Sequence, residues 1–289
     1  MLSYTPTPIQ ELHDPVFEKA GVRVLIKRED MNHLYVSGNK WWKLKYNLEE
    51  AKNLGKNTLL TFGGAYSNHI YATAAAAHEL GWKSIGIIRG EETLPLNRTL
   101  AFAKSKGVEL HYISREDYRK KHETEFIQKI QDQFGDFYLI PEGGTNRLAV
   151  KGVTEFTRQL EHEIDFDYIC LSVGTGGTLA GVIEGLTDSK KILGFSSLKG
   201  GEFLEKEIRK YTDKTDNWEL NHDYHFGGYG KKKPVIIQFT EQIEKQFALV
   251  LDPVYTSKMM FGVMDLLRNS YFKKRSTILL LHTGGLQGK

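Results

Sequence analysis

The chain of 289 residues has a single cysteine, Cys170, so it can close no internal disulfide and build no cysteine-rich zinc site. It has little charge imbalance. Its 39 lysines and arginines against 36 aspartates and glutamates leave +3, too little to indicate nucleic acid or a membrane surface as partner. No apolar run reaches the length of a membrane span. The opening MLSYTPTPIQEL lacks the basic and apolar regions of a signal peptide. No Pro/Ser linker, low-complexity tract or fixed-period repeat divides the chain. These absences leave a cytoplasmic globular protein as the expectation, of one large domain or two medium ones.

What is present is an alternation. Short apolar runs at Thr58–Phe62, Ser84–Ile88, Val108–Ile113, Phe137–Ile140, Tyr168–Val173, Lys191–Phe195 and Thr277–His282 read as strands. Between them lie helix-like segments at Ile70–Leu80, Leu96–Lys106, Arg115–Phe134 and Leu148–Ile164. Continuous apolar strands alternating with helices predict an α/β protein with mostly parallel sheets covered on both faces.

Glycine is also present in quantity, 28 residues, several in pairs. Gly63-Gly64, Gly143-Gly144, the group Gly174, Gly176 and Gly177, and Gly284-Gly285 each follow a predicted strand. Ligands bind at the carboxyl edge of parallel strands, and glycine there permits close backbone approach. Ordinary tight turns explain any one pair more simply than they explain four. The run Val173–Thr178, VGTGGT, joins a strand to a helix and predicts an anion cradle suited to phosphate. It is not the dinucleotide fingerprint, because Leu179 stands where the third glycine is needed.

Lys40 follows Ser-Gly-Asn and precedes Trp41-Trp42. That setting predicts partial desolvation, which lowers a lysine's pKa and frees a nucleophilic amine. An amine, a phosphate cradle and the polar helix start Ser67-Asn68 together suggest pyridoxal phosphate held as a Schiff base. His222 and His225 form an HxxH pair with no third ligand nearby, so no metal is expected.

The motifs KRED (27–30), GNKWWKL (38–44), GGAYSNH (63–69), PEGGTN (141–146), VGTGGT (173–178), GYG (228–230), DPVY (252–255) and HTGG (282–285) occur in one order over nearly the whole chain. In that order the sequence resembles the 1-aminocyclopropane-1-carboxylate deaminase / D-cysteine desulfhydrase family, pyridoxal-phosphate enzymes of the tryptophan-synthase β-like fold (fold type II). The resemblance implies two α/β domains with the cofactor between them. The smaller covers 44–150 and the larger 1–43 plus 151–289, with crossings near Lys43–Asn47 and Glu142–Val150. It also implies a homodimer.

The resemblance assigns roles. Lys40 carries the cofactor as an internal aldimine and moves protons at the substrate α-carbon. Lys43 and Gly174, Thr175, Gly176, Gly177 and Thr178 hold its phosphate. Asn68 meets the pyridine hydroxyl and Thr283 the pyridine nitrogen. Ser67 stands beside the substrate, and Tyr229 and Tyr255 are acid/base groups or hydrogen-bond donors. Tyr66, Ser67, Asn68, His69 and Thr256 are expected at the substrate. Simpler readings stand beside these: Ser67 or Asn68 as a helix cap, Lys43 as a solvated charge, His69 as a packing residue.

Family deaminases carry glutamate after the DPVY tyrosine and leucine at the HTGG threonine. Here these positions are Thr256 and Thr283. Both departures favour β-elimination from D-cysteine or a similar small D-amino acid over opening of the cyclopropane ring. Tyr66 replaces the family's glutamine and Trp42 its arginine, which leaves the pocket's shape open. A non-catalytic, cofactor-holding paralogue is the remaining alternative.

Overall fold

The structure is a computed structural model that describes residues 1–288. The described residues form two sheets. Strands β1 (Ile9–Leu12), β2 (Arg23–Lys27), β7 (Tyr168–Val173), β8 (Lys191–Ser196), β9 (Trp218–Asn221) and β10 (Thr277–Leu281) make a six-stranded sheet in the order β1-β2-β10-β7-β8-β9. Strands β3 (Thr58–Gly64), β4 (Lys83–Arg89), β5 (Val108–Ile113) and β6 (Tyr138–Ile140) make a four-stranded sheet in the order β5-β4-β3-β6. All pairings are parallel except β1 with β2.

Eleven α-helices accompany them among the described residues: α1 (Pro15–Ala20), α2 (Asn39–Asn53), α3 (Asn68–Glu79), α4 (Arg98–Ser105), α5 (Arg115–Arg119), α6 (Thr124–Phe134), α7 (Arg147–Glu163), α8 (Gly177–Gly185), α9 (Phe203–Arg209), α10 (Pro234–Phe247) and α11 (Thr256–Arg268). The predicted α/β class with mostly parallel sheets is therefore what the chain adopts.

Burial explains the strand composition. In β10 the residues Ile278–Leu280 are wholly buried, and in β7 Ile169, Cys170 and Leu171 are too. Helices cover both faces of this sheet, with separate apolar clusters on each side. Cys170 lies in this core, where burial pushes its thiol pKa upward and keeps it unreactive.

Two expectations need correction. The segment 115–134 is two helices, not one: α5 ends at Arg119 and α6 begins at Thr124. The chain does not cross between sheets in a loop at 43–47, because those residues lie inside the continuous helix α2. The link into the four-stranded sheet follows that helix, at 54–57.

Candidate active site

The four strand-end glycine clusters come from both sheets and meet at one cleft of about 820 Å³. Gly64 and Gly143 line it from the four-stranded sheet, and Gly174, Gly176, Gly284 and Gly285 from the six-stranded sheet. Its volume lies in the range of small-ligand sites, roughly 300–1,000 Å³.

Lys40 enters this cleft from the first turn of α2. Its position is set by Gly38, which has φ 70° and packs directly on the β10 exit. A Cβ on Gly38 would lie 1.9 Å from the Thr283 carbonyl oxygen. Asn32 holds the same glycine from both sides, accepting from its N–H (2.9 Å) and donating to its carbonyl (3.0 Å). Buried Glu29 accepts in turn from Asn32 (2.9 Å), Thr7 (2.5 Å) and the Trp42 indole (2.7 Å). The KRED segment is thus the scaffold of the lysine turn. Trp42, in place of the family's arginine, is buried in that scaffold and does not line the cleft.

Among the described residues Lys40 has no hydrogen-bond or ion-pair partner. Desolvation pulls its pKa from 10.5 to about 8. Lys43, one turn on, is also buried. It donates to the Gly143 carbonyl (2.5 Å) and the Thr145 hydroxyl (2.9 Å). Burial, and then the Lys40 charge, hold its pKa well below the ordinary value.

Gly174, Thr175, Gly176 and Thr178 line the cleft at the start of α8, and Gly177 between them is the first residue of that helix. No side chain caps this helix, and Gly176 is left-handed, with φ 83°. Its first N–H groups are therefore available to an anion. A Cβ on Gly177 would come within 2.8 Å of Thr145. Asn39 donates to the Thr178 hydroxyl (2.7 Å), and the hydroxyls of Thr145 and Thr175 are 2.6 Å apart.

Opposite, Ser67 caps α3, its hydroxyl accepting from the N–H groups of His69 and Ile70 (3.2 Å each). The cap reading of Ser67 is correct, and Ser67 also lines the cleft. Asn68 lines it as well, donating to Asp252 (3.3 Å) and accepting from Gln287. Burial raises the Asp252 carboxyl pKa to about 6. His69 is buried but borders the cleft. Thr61 gives its proton to the Ile140 carbonyl (2.7 Å), so it accepts from His69 Nε2–H (2.8 Å). That fixes the tautomer and leaves His69 Nδ1 as a buried acceptor without a partner among the described residues.

Thr283 lines the cleft at the end of β10, with its hydroxyl 3.2 Å from that of Ser172. The neighbouring His282 donates to the Val250 carbonyl (2.8 Å) and accepts from Gly284 N–H (3.2 Å), which anchors this exit. Tyr229 and Tyr255 face each other with ring centroids 6.0 Å apart, and both line the cleft. Desolvation raises both phenol pKa values, so both are protonated donors at neutral pH. Buried Lys258, one turn after Tyr255, donates to the His225 and Gly228 carbonyls (2.9 Å each) and so fixes the loop carrying Tyr229.

Two expected substrate residues are not brought in. Tyr66 is 67% exposed and its side chain lies outside the cleft; only its carbonyl takes part, accepting from Tyr229 (3.4 Å). Thr256 is fully buried with its hydroxyl bonded to the Asp252 backbone (2.8 Å), because it closes the turn that starts α11. Asn39, Thr145, Ser172, Gln287 and Arg89 line the cleft without having been singled out. Asn39 and Thr145 lie inside quoted motifs, and Arg89 directly follows the strand expected at Ser84–Ile88.

Two sheets whose glycine-rich edges enclose a desolvated amine and an uncapped helix start define a pyridoxal-phosphate dependent enzyme. Residues 1–284 match the family model described as pyridoxal-phosphate dependent enzyme. A Pyrococcus horikoshii protein named by inference as a 1-aminocyclopropane-1-carboxylate deaminase is 32% identical over 98% of this chain and 90% of its own. The Arabidopsis thaliana bifunctional D-cysteine desulfhydrase/1-aminocyclopropane-1-carboxylate deaminase, mitochondrial, is 28% identical over 99% of this chain and 78% of its own. A crystal structure described as an ACC deaminase homologue superposes with TM-score 0.87 at 29% identity, covering 100% of this chain and 92% of the other. The chain belongs to the 1-aminocyclopropane-1-carboxylate deaminase / D-cysteine desulfhydrase family of these enzymes.

The residues present fit the cofactor. A desolvated amine suits its aldehyde, and the uncapped start of α8 with buried Lys43 suits its phosphate. Among the described residues no helix is long and apolar enough to cross a membrane.

Proposed function

We propose that the protein catalyses β-elimination from D-cysteine or a similar small D-amino acid. The Cα–H and Cβ–S bonds break, hydrosulfide leaves, and water completes the products pyruvate and ammonia. The bound cofactor supplies the electron sink for the pair released at the α-carbon.

The protein's own groups do the rest. Lys40, which lines the same cleft as Ser67, holds and moves the α-proton. Its pKa of about 8 keeps both protonation states accessible near neutrality. Gly174, Thr175, Gly176, Gly177, Thr178 and Lys43 bind and orient the phosphate. Asn68 orients the ring through its hydroxyl, and Ser67 receives the substrate carboxylate at the start of α3. His69 borders the cleft next to Ser67 and Asn68, its ring anchored on Thr61. The protonated phenols of Tyr229 and Tyr255 donate to the departing sulfur.

The choice of reaction rests on two side chains, Thr283 and Thr256. Thr283 offers a hydroxyl bonded to Ser172 where the family deaminases carry leucine. Thr256 turns its hydroxyl into the backbone and places no acid in the cleft. The competing reading, opening of 1-aminocyclopropane-1-carboxylate to 2-oxobutanoate and ammonia, draws on the relatives' names. The test is incubation with D-cysteine, L-cysteine and the cyclopropane acid, with assays for hydrosulfide and 2-oxobutanoate. Hydrosulfide from D-cysteine is expected. Only 2-oxobutanoate would favour the competitor, and neither product would favour a cofactor-holding paralogue.

Two domains are part of this reading, the smaller lying within 44–150 and starting after α2 and the larger made of the rest of the chain, with cleft closure excluding water. So is a homodimer, for which sedimentation should give twice the 33.0 kDa of one chain.

A further inference from the structure

The cations around the cleft differ in what satisfies them. Lys43 is bonded to Gly143 and Thr145. Lys121 pairs with Glu142 (3.4 Å), and Lys210 with Glu207 (2.7 Å). Lys40 is free for the cofactor. Arg89 also lines the cleft and has no hydrogen-bond or ion-pair partner among the described residues.

Its placement is defined. Arg89 is the last residue of β4, in register with Gly64 on β3. It therefore stands one strand beyond the loop that carries Ser67, on the side away from β6. Its guanidinium lies over the buried Tyr118 ring, 5.5 Å from the centroid. Nη2 is 3.5 Å from where a Cβ of residue 64 would be, so the fork lies alongside Gly64 at the end of the neighbouring strand. The Arg89 charge reaches Tyr229, whose phenol pKa it lowers against the larger effect of burial. A planar, permanently charged fork, exposed on a cleft wall and seated on an aromatic ring, matches an oxyanion.

We propose that Arg89 is a specificity residue for substrates whose β-substituent ends in an anionic oxygen group: carboxylate, sulfonate, sulfate or phosphate. This rests on the reading that Ser67 receives the α-carboxylate. A three-carbon amino acid lying from Ser67 toward Tyr229 directs its β-substituent to the next strand, where Arg89 waits. D-cysteine is then the minimal substrate of a site that also takes a tethered anion.

The experiment uses the cofactor-loaded protein and ligands without an amino group, so that binding is read apart from turnover. Propanoate, succinate, 3-sulfopropanoate and 3-phosphonopropanoate are titrated by calorimetry into wild type, Arg89→Gln and Arg89→Lys. Wild type should bind at least one ligand with a terminal anion at least tenfold more tightly than propanoate. Which of the three gains most identifies the anion. Arg89→Gln should lose the preference and leave propanoate unchanged, and Arg89→Lys should keep part of it. Equal weakening of propanoate would overturn the proposal, because Arg89 would then hold the common carboxylate. No preference in wild type would overturn it too. The visible absorbance of each variant is recorded alongside. Loss of colour in wild type would refute the cofactor reading, an outcome separate from the ligand preference.

Discussion

Lys40 should cost the cofactor-free protein stability. An amine at about 8 in the fold and 10.5 in the unfolded chain is a charge that the fold disfavours. Each tenfold change in proton affinity is worth about 1.4 kcal/mol. At pH 7 both states are mostly protonated, so nearly the full penalty applies, about 3 kcal/mol. At pH 10 the folded amine is neutral and the unfolded one mostly charged, and the same linkage leaves about 1 kcal/mol. The sign follows: the unfolded state binds more protons between these values, so stability rises with pH across that window. Because Lys40 keeps a small face on the cleft, solvent screening makes 3 kcal/mol an upper figure.

Lys40→Met replaces the ammonium with an apolar chain of similar length and leaves no partner unsatisfied. The cofactor-free variant should therefore be more stable than wild type at pH 7, by up to about 3 kcal/mol, with the gain shrinking toward about 1 at pH 10. Urea denaturation at both pH values measures it. A variant less stable than wild type at pH 7, or a gain independent of pH, would refute the reasoning. The same variant should be inactive, which makes Lys40 a case of function held against stability.

Lys258 makes the opposite case, although burial also lowers its pKa to about 8. It satisfies two carbonyls, so Lys258→Met should destabilise by about 2 kcal/mol and expose 226–230 to limited proteolysis. An unchanged digestion pattern would contradict its role in holding Tyr229. Gly38→Ala forces a Cβ against the Thr283 carbonyl at a left-handed φ, so the Lys40 turn must shift. Cofactor affinity should fall at least tenfold by absorbance titration, whereas Gly55→Ala, at a left-handed φ with nothing near its Cβ, should leave it intact.

The sequence shows the long parallel strands well because they are buried on both faces and read as unbroken apolar runs. It hides β1 and β9, four residues each, and β2, whose apolar stretch is only three residues between charges. The break between α5 and α6 carries no proline or glycine, so the charged segment 115–134 looks continuous. In the site, Lys40 and the 174–178 cradle were legible because glycine and desolvation leave marks in sequence. Tyr66 and Thr256 were misplaced because motif position does not give side-chain direction. Thr256 serves a turn, and Tyr66 points to solvent. Arg89 leaves no mark in the sequence because a single exposed arginine after a strand looks like any surface charge, and only its place in the cleft lining sets it apart.

The most direct test of the account is reduction of the cofactor-loaded protein with borohydride, followed by peptide mapping. The account predicts a yellow protein that loses its colour on reduction and carries one pyridoxyl group on Lys40. A colourless protein after incubation with pyridoxal phosphate, or label on Lys43 or any other lysine, would contradict it.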